Sequence, residues 1–325
     1  MTNVTVVIPA YNEGPGFGGR LVSIADAFSI YLSAGYRFRY AIVDDGSNDE
    51  TWAAAQVFAR GRKNVDVIQH PENRGLGSAL RTAFHAVETE YAIVLDADLS
   101  YAPATGMELL EALLSENADI ATASPYMRGG AAINVPPARR MLSRQANRLL
   151  SFATAGRCAT LTCMVRAYRS SAMKQLLFRS DRMDAIAEML LYALRKGMRV
   201  IEVPATLRWS PERRAMRGRV RLSRIAAQTW ATVRLAFIHR PALWLAVPGL
   251  FPGLLPIVVA VLLLLRVSPA VLAAGTAATV IVQYSSLAFL AGHVGSVFAR
   301  KFHHRHSNGL NRRNSNDYGI PPRSA

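Results

Sequence analysis

The sequence predicts an α/β fold in which helices cover both faces of a mostly parallel sheet. Between residues 4 and 124, short runs rich in β-branched residues alternate with longer stretches of helical length and apolar spacing. Acidic and turn-forming residues follow each of the first four runs. Because ligands bind at the carboxyl ends of the strands in such sheets, the sequence also predicts a ligand site at that edge.

The predicted elements follow one another in regular order. The strands are VTVVI (4–8), YAIV (40–43), VDVIQ (65–69), YAIVL (91–95) and DIATAS (119–124). The helices between them cover about 17–34, 48–60, 76–89 and 103–116. After residue 124 the pattern changes, and we expect a loop with Pro and Gly, a helix at 139–154, a strand near 161–168, a helix at about 184–196 and a strand at 199–203.

The loops after the first four predicted strands carry the candidate site residues. Each loop taken alone is ordinary turn chemistry, since Asp, Asn, Gly and Pro are common turn formers. Their convergence on one sheet edge favours a binding site. The residues are Pro9, Tyr11, Asn12 and Glu13, then Asp44, Asp45, Gly46 and Ser47, then His70, Asn73, Arg74, Gly75 and Gly77, and finally Asp96 and Asp98.

The segment YAIVLDADLSY (91–101) places two carboxylates, Asp96 and Asp98, directly after an apolar run. Residues two apart on a strand point to the same side, so the sequence predicts that both carboxylates project together. Such a pair repels unless a positive group lies between them, and a divalent cation with oxygen ligands is the usual partner. Two surface acids in a turn are the alternative.

Charge is distributed unevenly along the chain. Residues 1–120 hold 8 Lys or Arg against 16 Asp or Glu, whereas residues 121–325 hold 30 against 6. A basic surface suits nucleic acid, anionic lipid or phosphorylated ligands, and composition alone does not choose among them. The two cysteines, Cys158 and Cys163, lack the spacing of a zinc site, and we expect reduced packing residues.

The C-terminal region favours a membrane over nucleic acid. Residues 242–265 are 24 positions without a charge, and 267–299 hold none except His293, so each run exceeds the roughly 20 residues that cross a bilayer. Lys and Arg flank the pair on both sides, which predicts that residues 1–240 face the cytoplasm. A buried hairpin in a soluble protein is the alternative. The N-terminus lacks the basic region and apolar stretch of a signal peptide.

We therefore expect four segments. A cytosolic domain covers 1–210, and a basic juxtamembrane segment at 211–240 contains an amphipathic helix near 219–239. Two transmembrane helices lie at about 242–265 and 270–296, within 241–299, and a basic disordered tail covers 300–325. We therefore expect an integral protein of the bacterial inner membrane whose catalytic domain lies in the cytoplasm.

Several motifs in order resemble the family 2 glycosyltransferases of the GT-A fold. They are VVIPAYNEG, VDDGSNDET, NRGLGSALRTAF, VLDADLS, YMRGG with Arg139 and Arg140, and EVP at 202–204. The match covers residues 4 to about 220 and is similar to the polyprenyl-phosphate sugar synthases related to dolichyl-phosphate mannose synthase. The two predicted spans fit bacterial members that end in a membrane hairpin, including undecaprenyl-phosphate sugar transferases.

The resemblance implies roles for individual residues. It implies transfer of a sugar from a UDP- or GDP-linked donor to a polyprenyl phosphate, with Mg²⁺ or Mn²⁺ on the diphosphate. Asp96, Asp98 and Arg139 are the implied catalytic residues, and Asp96, Asp98 and Ser100 the implied metal ligands. The implied donor contacts are Pro9, Tyr11, Glu13, Asp45, Ser47, Arg74 and Gly75. The implied contacts to the acceptor phosphate are Arg128, Arg139, Ser143 and Arg213.

A phosphate acceptor changes the catalytic requirement. It is already anionic, so it attacks without the general base that a sugar hydroxyl needs, but it requires cationic side chains to guide it past the anionic donor. The implied reaction inverts the anomeric centre in one displacement. Another lipid or saccharide acceptor, and a catalytically degenerate membrane scaffold, are the alternatives. Nucleic acid is not an expected partner, and a homo-oligomer stays open.

This chain departs from the family pattern around the acceptor. Ser100 stands where many members have Gln, and Ser124-Pro125-Tyr126 replaces Ser-Arg-Tyr, so Arg128 is the substitute candidate. The stretch ATLTCMVRAYR (159–169) replaces the usual Asp-x-x-Ser-Gly-Phe-Arg. These changes leave Asp96, Asp98 and the implied nucleotide contacts in place and alter the region implied for the acceptor.

Overall fold

The computed structural model describes residues 1–209 of the chain. The strands are β1 (Thr2–Ala10), β2 (Tyr36–Asp44), β3 (Val65–Gln69), β4 (Tyr91–Val94), β5 (Ile120–Ser124), β6 (Ala131–Ile133), β7 (Arg166–Arg169), β8 (Val200–Pro204) and β9 (Thr206–Arg208). The helices are α1 (Phe17–Ser29), α2 (Thr51–Ala59), α3 (Leu76–His85), α4 (Ala104–Ser115), α5 (Pro137–Ala153), α6 (Ser170–Met173) and α7 (Ala185–Arg195).

Seven strands form one sheet in the order β3-β2-β1-β4-β7-β5-β8. All neighbours are parallel except β7, which runs antiparallel to β4 and to β5. Ala10 pairs with Asp44 and Val7 with Val94, so β1, β2 and β4 end close together. The α/β class and the mostly parallel sheet predicted from the sequence are confirmed.

The core lies against both faces of this sheet. Every residue of β1 from Val4 to Ala10 is buried, which is typical of a strand covered on both sides. The buried side chains of α1 are Phe17, Leu21, Ile24 and Phe28, which recur at helical spacing. Phe28 also meets Phe38 of β2 edge to face at a centroid distance of 4.9 Å. Burial of one apolar face therefore fixes α1 on the sheet.

Several boundaries differ from the sequence prediction. Residues 161–165 are not a strand, and only Arg166–Arg169 pair with the sheet. The backbone at the start of this loop bonds to a side chain instead of to a neighbouring strand: the half-buried Glu202 accepts from the N–H groups of Ala159 and Thr160. The short pair β6 and β9, which are parallel to each other, was not predicted at all.

Part of the predicted organisation lies outside the described residues. This applies to the amphipathic segment, both predicted spans, the C-terminal tail and Arg213. Within residues 1–209, no helix combines the length and apolarity needed to cross a membrane. Both cysteines are buried and unpaired, which confirms the expectation of packing residues.

Candidate active site

The loops after β1 and β2 are joined side by side. The Asn12 N–H donates to Ser47 Oγ at 2.9 Å, and the Asn48 N–H donates to Asn12 Oδ1 at 2.9 Å. The Glu13 N–H donates to Thr51 Oγ1 at 2.8 Å. These contacts hold Glu13 and Ser47, two of the predicted donor contacts, in one surface. Tyr11 lies beside them with 43% of its surface exposed, so its ring is available to a ligand.

Asp45 organises the loop that follows β3. It is only 3% exposed, and its two oxygens accept from the N–H groups of Arg74 (3.0 Å) and Gly75 (2.7 Å). Oδ1 also lies 2.7 Å from His70 Nδ1, whose other ring nitrogen lies 2.8 Å from Thr82 Oγ1. Because a carboxylate only accepts, Nδ1 carries the proton. Asp45 thus has a structural role that the sequence did not reveal, and its nucleotide contact stays a prediction.

Gly75 occupies a position that no other residue fits. Its φ is +93°, and a Cβ there would lie 2.2 Å from the backbone oxygen of Asp181. This close approach packs the turn that opens α3 against the segment before α7, where the Gly77 N–H donates to the same oxygen at 2.9 Å. The glycine therefore brings the predicted donor loop into contact with a distant part of the chain.

We expect Asp45→Asn to lower the stability of the domain. The amide NH₂ would replace one of the two oxygens that accept from His70, Arg74 and Gly75, so at least one buried N–H would lose its acceptor. Such a loss lowers the free energy of unfolding by about 1–3 kcal/mol. Thermal unfolding followed by circular dichroism measures the change. Asp66→Asn is the matched control, since Asp66 forms an exposed ion pair with Arg39 and such pairs contribute about 0–1 kcal/mol. Equal melting temperatures for the two variants would contradict the assigned role.

Asp96 and Asp98 are brought together by a turn and not by strand alternation. The strand β4 ends at Val94, and the Leu99 N–H donates to the Asp96 carbonyl at 3.3 Å to close the turn. Leu99 has a φ of +52°, in the left-handed region that bulky residues rarely adopt. The prediction that both carboxylates share one face of an extended strand is therefore wrong. Their proximity is correct, but its cause is the departure of the chain from the sheet.

Ser100 connects the two carboxylates. Its hydroxyl donates to Asp96 Oδ2 at 3.1 Å, and its N–H donates to Asp98 Oδ1 at 3.0 Å. Two carboxylates and a hydroxyl form an oxygen donor set that suits Mg²⁺ or Mn²⁺. Residues 1–209 contain no group of three His, Cys, Asp or Glu side chains arranged for a metal. Mg²⁺ is commonly bound through one or two carboxylates, with water and substrate phosphates as its other ligands, and the oxygens of Asp96, Asp98 and Ser100 fit that pattern.

A pocket of about 240 Å³ joins this turn to helix α5. Asp96 and Ser100 lie on one wall, and Arg139 and Ser143, one helical turn apart on α5, lie on another. The structure thus places the predicted metal turn and two of the predicted acceptor residues around one space. Arg128 is exposed and does not line this pocket, and its role as a substitute for the missing arginine of the acceptor loop stays a prediction.

Trp209 is a pocket residue that the sequence analysis missed. It is 5% exposed, and the Arg139 guanidinium carbon lies 5.0 Å from the centroid of its ring. The N–H of Trp209 donates to Ile133 O at 3.1 Å, and that of Arg208 donates to Ser100 O at 2.8 Å. The residues around β9 therefore link the Asp96–Asp98 turn to the arginine of the opposite wall. Nothing in the residues around Trp209 indicates a contact with Arg139, which lies far from it in the sequence.

Buried polar side chains also fix the third wall of the pocket. Asn147 of α5 accepts from the N–H groups of Leu161 and Thr162 through Oδ1 and donates to Thr162 Oγ1 through Nδ2. Arg166 is 1% exposed and donates to the carbonyl oxygens of Leu161 and Ile186. These contacts hold the loop before β7 rigidly against α5 and α7. They replace the strand that the sequence predicted there.

Cys163 and Tyr101 line the pocket but are poor candidates for chemistry. Burial raises the pKa of the Cys163 thiol to about 11, so the thiol stays protonated near neutral pH. Burial likewise raises the pKa of the neighbouring Tyr101 hydroxyl well above its ordinary value, and the nearby thiol adds to this shift. The acidic and basic side chains that line the described part of the pocket are Asp96 and Arg139.

Known proteins similar to this chain place it among sugar-transferring enzymes. A dolichol-phosphate mannosyltransferase of Pyrococcus furiosus is 34% identical over 44% of this chain and 39% of its own length. A polyprenol monophosphomannose synthase of Mycolicibacterium smegmatis is 32% identical over 62% of this chain and 76% of its own. The chain thus spans about two-fifths of the first relative and three-quarters of the second.

The fold comparison and the family comparison agree. The mannosyl-3-phosphoglycerate synthase of Rubrobacter xylanophilus superposes with a TM-score of 0.54 at 17% identity, covering 74% of each chain. At that identity the likeness concerns the fold alone, which is the GT-A α/β fold. The family described as "Glycosyl transferase family 2" matches this chain over residues 5–177, which is more than half of the sequence. The chain belongs to glycosyl transferase family 2.

Proposed function

We propose that this protein transfers a sugar from a nucleotide-sugar donor to a polyprenyl phosphate. The observation that carries the proposal is the pocket in which Asp96 and Ser100 face Arg139 and Ser143. One wall is suited to a diphosphate with its cation, and the other offers a cation and a hydroxyl to a second anionic group. Two relatives named for dolichol phosphate and polyprenol support a lipid phosphate as that second group.

The donor binds, in this proposal, along the joined loops after β1, β2 and β3. Tyr11, Glu13, Ser47, Arg74 and Gly75 lie at the carboxyl edge of the sheet, where nucleotides bind in open α/β folds. A divalent cation held by Asp96, Asp98 and Ser100 would neutralise the charge that develops on the departing diphosphate. The choice between UDP and GDP depends on loop contacts that only a binding measurement identifies.

The acceptor side of the pocket lacks a spare general base. Asp96 is the only carboxylate among the pocket-lining residues within 1–209. Three carboxylates that follow Asp119 have partners outside the pocket: Glu188 accepts from the N–H groups of Arg179 and Ser180, Asp184 accepts from the Ser180 hydroxyl, and Asp181 pairs with Arg81. Among the described lining residues, a hydroxyl acceptor would thus find no carboxylate besides Asp96 to take its proton, whereas a phosphate needs none.

The reaction then proceeds by a single displacement. A lone pair on the acceptor phosphate oxygen forms the bond to the anomeric carbon from the face opposite the leaving group. The bond between that carbon and the diphosphate oxygen breaks, and its electron pair leaves with the nucleoside diphosphate. No proton moves, and the configuration of the anomeric carbon inverts. Arg139 holds the acceptor phosphate in line, which lowers the entropic cost of bringing two anions together.

Membrane attachment is part of the proposal. It is supported by the uncharged stretch at 242–265, by the apolar run that follows it and by the basic residues on either side of the pair. A polyprenyl phosphate is held in a bilayer by its chain, so an enzyme that uses it must work at the membrane surface. The basic segment between the catalytic domain and these runs suits a surface of anionic lipid.

A turnover assay on detergent-purified full-length protein tests the function. Undecaprenyl phosphate, Mg²⁺ or Mn²⁺, and a panel of UDP- and GDP-sugars are supplied together. We expect a glycosylated lipid and the matching nucleoside diphosphate from one donor, and no release when lipid phosphate is omitted. Absence of product from every donor, with measurable nucleotide binding, would favour a different acceptor or the scaffold alternative.

Substitution of the three later carboxylates separates a phosphate acceptor from a hydroxyl acceptor. We expect Asp181→Asn, Asp184→Asn and Glu188→Gln each to leave kcat within about threefold, because none of them removes a proton. Removal of a true general base lowers the rate by about 10²–10⁴. Steady-state turnover of each variant, with its melting temperature as a control for folding, decides between the two. A loss of that size in one correctly folded variant would identify a base and exclude the phosphate mechanism.

A further inference from the structure

Arg20 connects the loop after β1 with the turn after β4, and the proposed function gives this arginine no role. It lies in the first turn of α1, and its side chain is 24% exposed. Its Nε donates to the Ala97 carbonyl at 2.8 Å. Its Nη2 donates to the Glu13 carbonyl at 2.7 Å and to Glu13 Oε2 at 3.2 Å. One guanidinium therefore bonds both to the loop after β1 and to the turn after β4.

The Ala97 carbonyl is a sensitive point of the turn. This carbonyl belongs to the peptide that links Ala97 to Asp98, and Asp96 is the residue before Ala97. Because a peptide is planar, holding its oxygen fixes the plane from which the Asp98 side chain departs. Ala97 is 4% exposed, so a bond to a charged donor replaces hydration that this carbonyl has lost.

The surroundings of Arg20 are built for this arrangement. A Cβ at Gly16 would lie 3.0 Å from Arg20 Nη1, so the glycine leaves room for the guanidinium. The guanidinium carbon also lies 5.7 Å from the centroid of the Phe17 ring, which restricts its position. Arginine is required because one planar group must donate in two directions at once, which a lysine ammonium on a flexible stem does less well.

We infer that Arg20 is a positioning residue for the Asp96–Asp98 pair and couples it to the Glu13 loop. This inference rests on the proposed function, since it assigns Arg20 to the cation site of that reaction. Two carboxylates repel each other, so the turn holds them at a fixed separation only if its backbone is anchored. Arg20 supplies that anchor without touching the substrate.

Binding of Mn²⁺ measured without turnover tests the inference. Full-length protein in detergent is titrated with Mn²⁺ in the presence of UDP or of GDP, whichever binds, and the free ion is followed by electron paramagnetic resonance. We expect Arg20→Met to weaken Mn²⁺ binding by about 10-fold or more, as is usual when a group that orients metal ligands is removed. Binding of the nucleotide alone, measured without metal, should stay within about twofold of the parent because the cation is then absent.

Two further variants sharpen the comparison. Arg20→Lys should recover part of the Mn²⁺ affinity, because the ammonium keeps the charge and reaches one of the two carbonyl oxygens. Arg39→Met removes an arginine from an exposed ion pair on β2 and should leave both affinities unchanged. The melting temperature of each variant shows that the domain is folded.

The outcomes distinguish this inference from the proposed function. Parent protein that binds Mn²⁺ with nucleotide, together with unchanged binding by folded Arg20→Met, would overturn the positioning role and leave the function intact. Equal losses of metal-free nucleotide and of Mn²⁺ affinity would show that Arg20 acts through the Glu13 loop alone and would also overturn it. Parent protein that does not bind Mn²⁺ would overturn both.

Discussion

Asp98→Asn is expected to abolish sugar transfer while the domain remains folded. The substitution keeps an oxygen that accepts the Ser100 N–H, which Asp98 Oδ1 now accepts at 3.0 Å, so the turn keeps its hydrogen bond. It removes one of the two negative charges that attract a divalent cation. Loss of the group that stabilises a developing charge typically lowers kcat by about 10²–10³, and loss of the cation itself would lower it further.

The measurement combines turnover with metal dependence. Release of nucleoside diphosphate is followed at increasing Mn²⁺, and the parent should saturate while Asp98→Asn stays near background. Asp66→Asn, which removes an exposed carboxylate from β3, controls for the loss of one negative charge. Turnover by a folded Asp98→Asn protein at a rate close to the parent would refute the metal assignment. Recovery at high Mn²⁺ would instead locate the defect in affinity.

The sheet and the common edge at which β1, β2 and β4 end could be predicted because both depend on local patterns. Strand β1 is rich in β-branched residues and buried from Val4 to Ala10, and its end is marked by Pro9 and by the polar residues that follow it. Parallel strands must end at a common edge, so the convergence of the loops after β1, β2 and β4 follows from their order in the chain. The proximity of Asp96 and Asp98 was predicted from strand alternation, whereas the structure brings them together through the turn after β4.

The supports of the site could not be predicted because they depend on contacts between distant residues. Arg20 bonds to Ala97 across 77 positions, and Ala159 donates to Glu202 across 43. Nothing in the residues near Arg20 or Glu202 indicates those partners. The predicted strand near 161–168 begins in the structure only at Arg166, and residues 161–165 form a loop. Tertiary hydrogen bonds decide its conformation, and single-residue preferences do not encode them.

Two groups of side chains form the pocket: one group lines it, and the other holds its walls in place. The predicted acceptor contacts, Ser143 and Arg139, form the first group; they lie on α5 and line the pocket. Side chains that hold the walls, such as Asn147 and Arg166, are almost fully buried and bond mainly to backbone groups. A change in the second group moves the first as a unit. Asn147 and Arg166 thereby keep the predicted acceptor contacts in place, although Pro125 stands where the family pattern has an arginine.

Arg139→Met is expected to raise KM for the lipid phosphate strongly and to leave KM for the nucleotide sugar unchanged. Arg139 lines the pocket opposite Asp96, and Trp209 holds its guanidinium at 5.0 Å from the ring centroid. A charge-assisted hydrogen bond contributes about 1.5–3 kcal/mol, so its loss corresponds to an increase in KM of about 10- to 100-fold. The KM of Arg139→Lys for lipid phosphate should lie between those of the parent and of Arg139→Met, because lysine keeps the charge and loses the bidentate geometry. Initial rates at varied lipid phosphate and varied donor give both constants.

Arg140→Met is the matched control, because Arg140 neighbours Arg139 on α5 but is exposed and does not line the pocket. Equal effects of the two substitutions would indicate a diffuse basic surface and contradict a specific phosphate contact. The division between KM and kcat also identifies which anion Arg139 holds. The acceptor phosphate is charged before and during attack, so a contact to it stabilises the ground state and the transition state alike and appears mainly in KM. Charge grows on the donor diphosphate only as its bond breaks, and a contact there would appear as a fall in kcat.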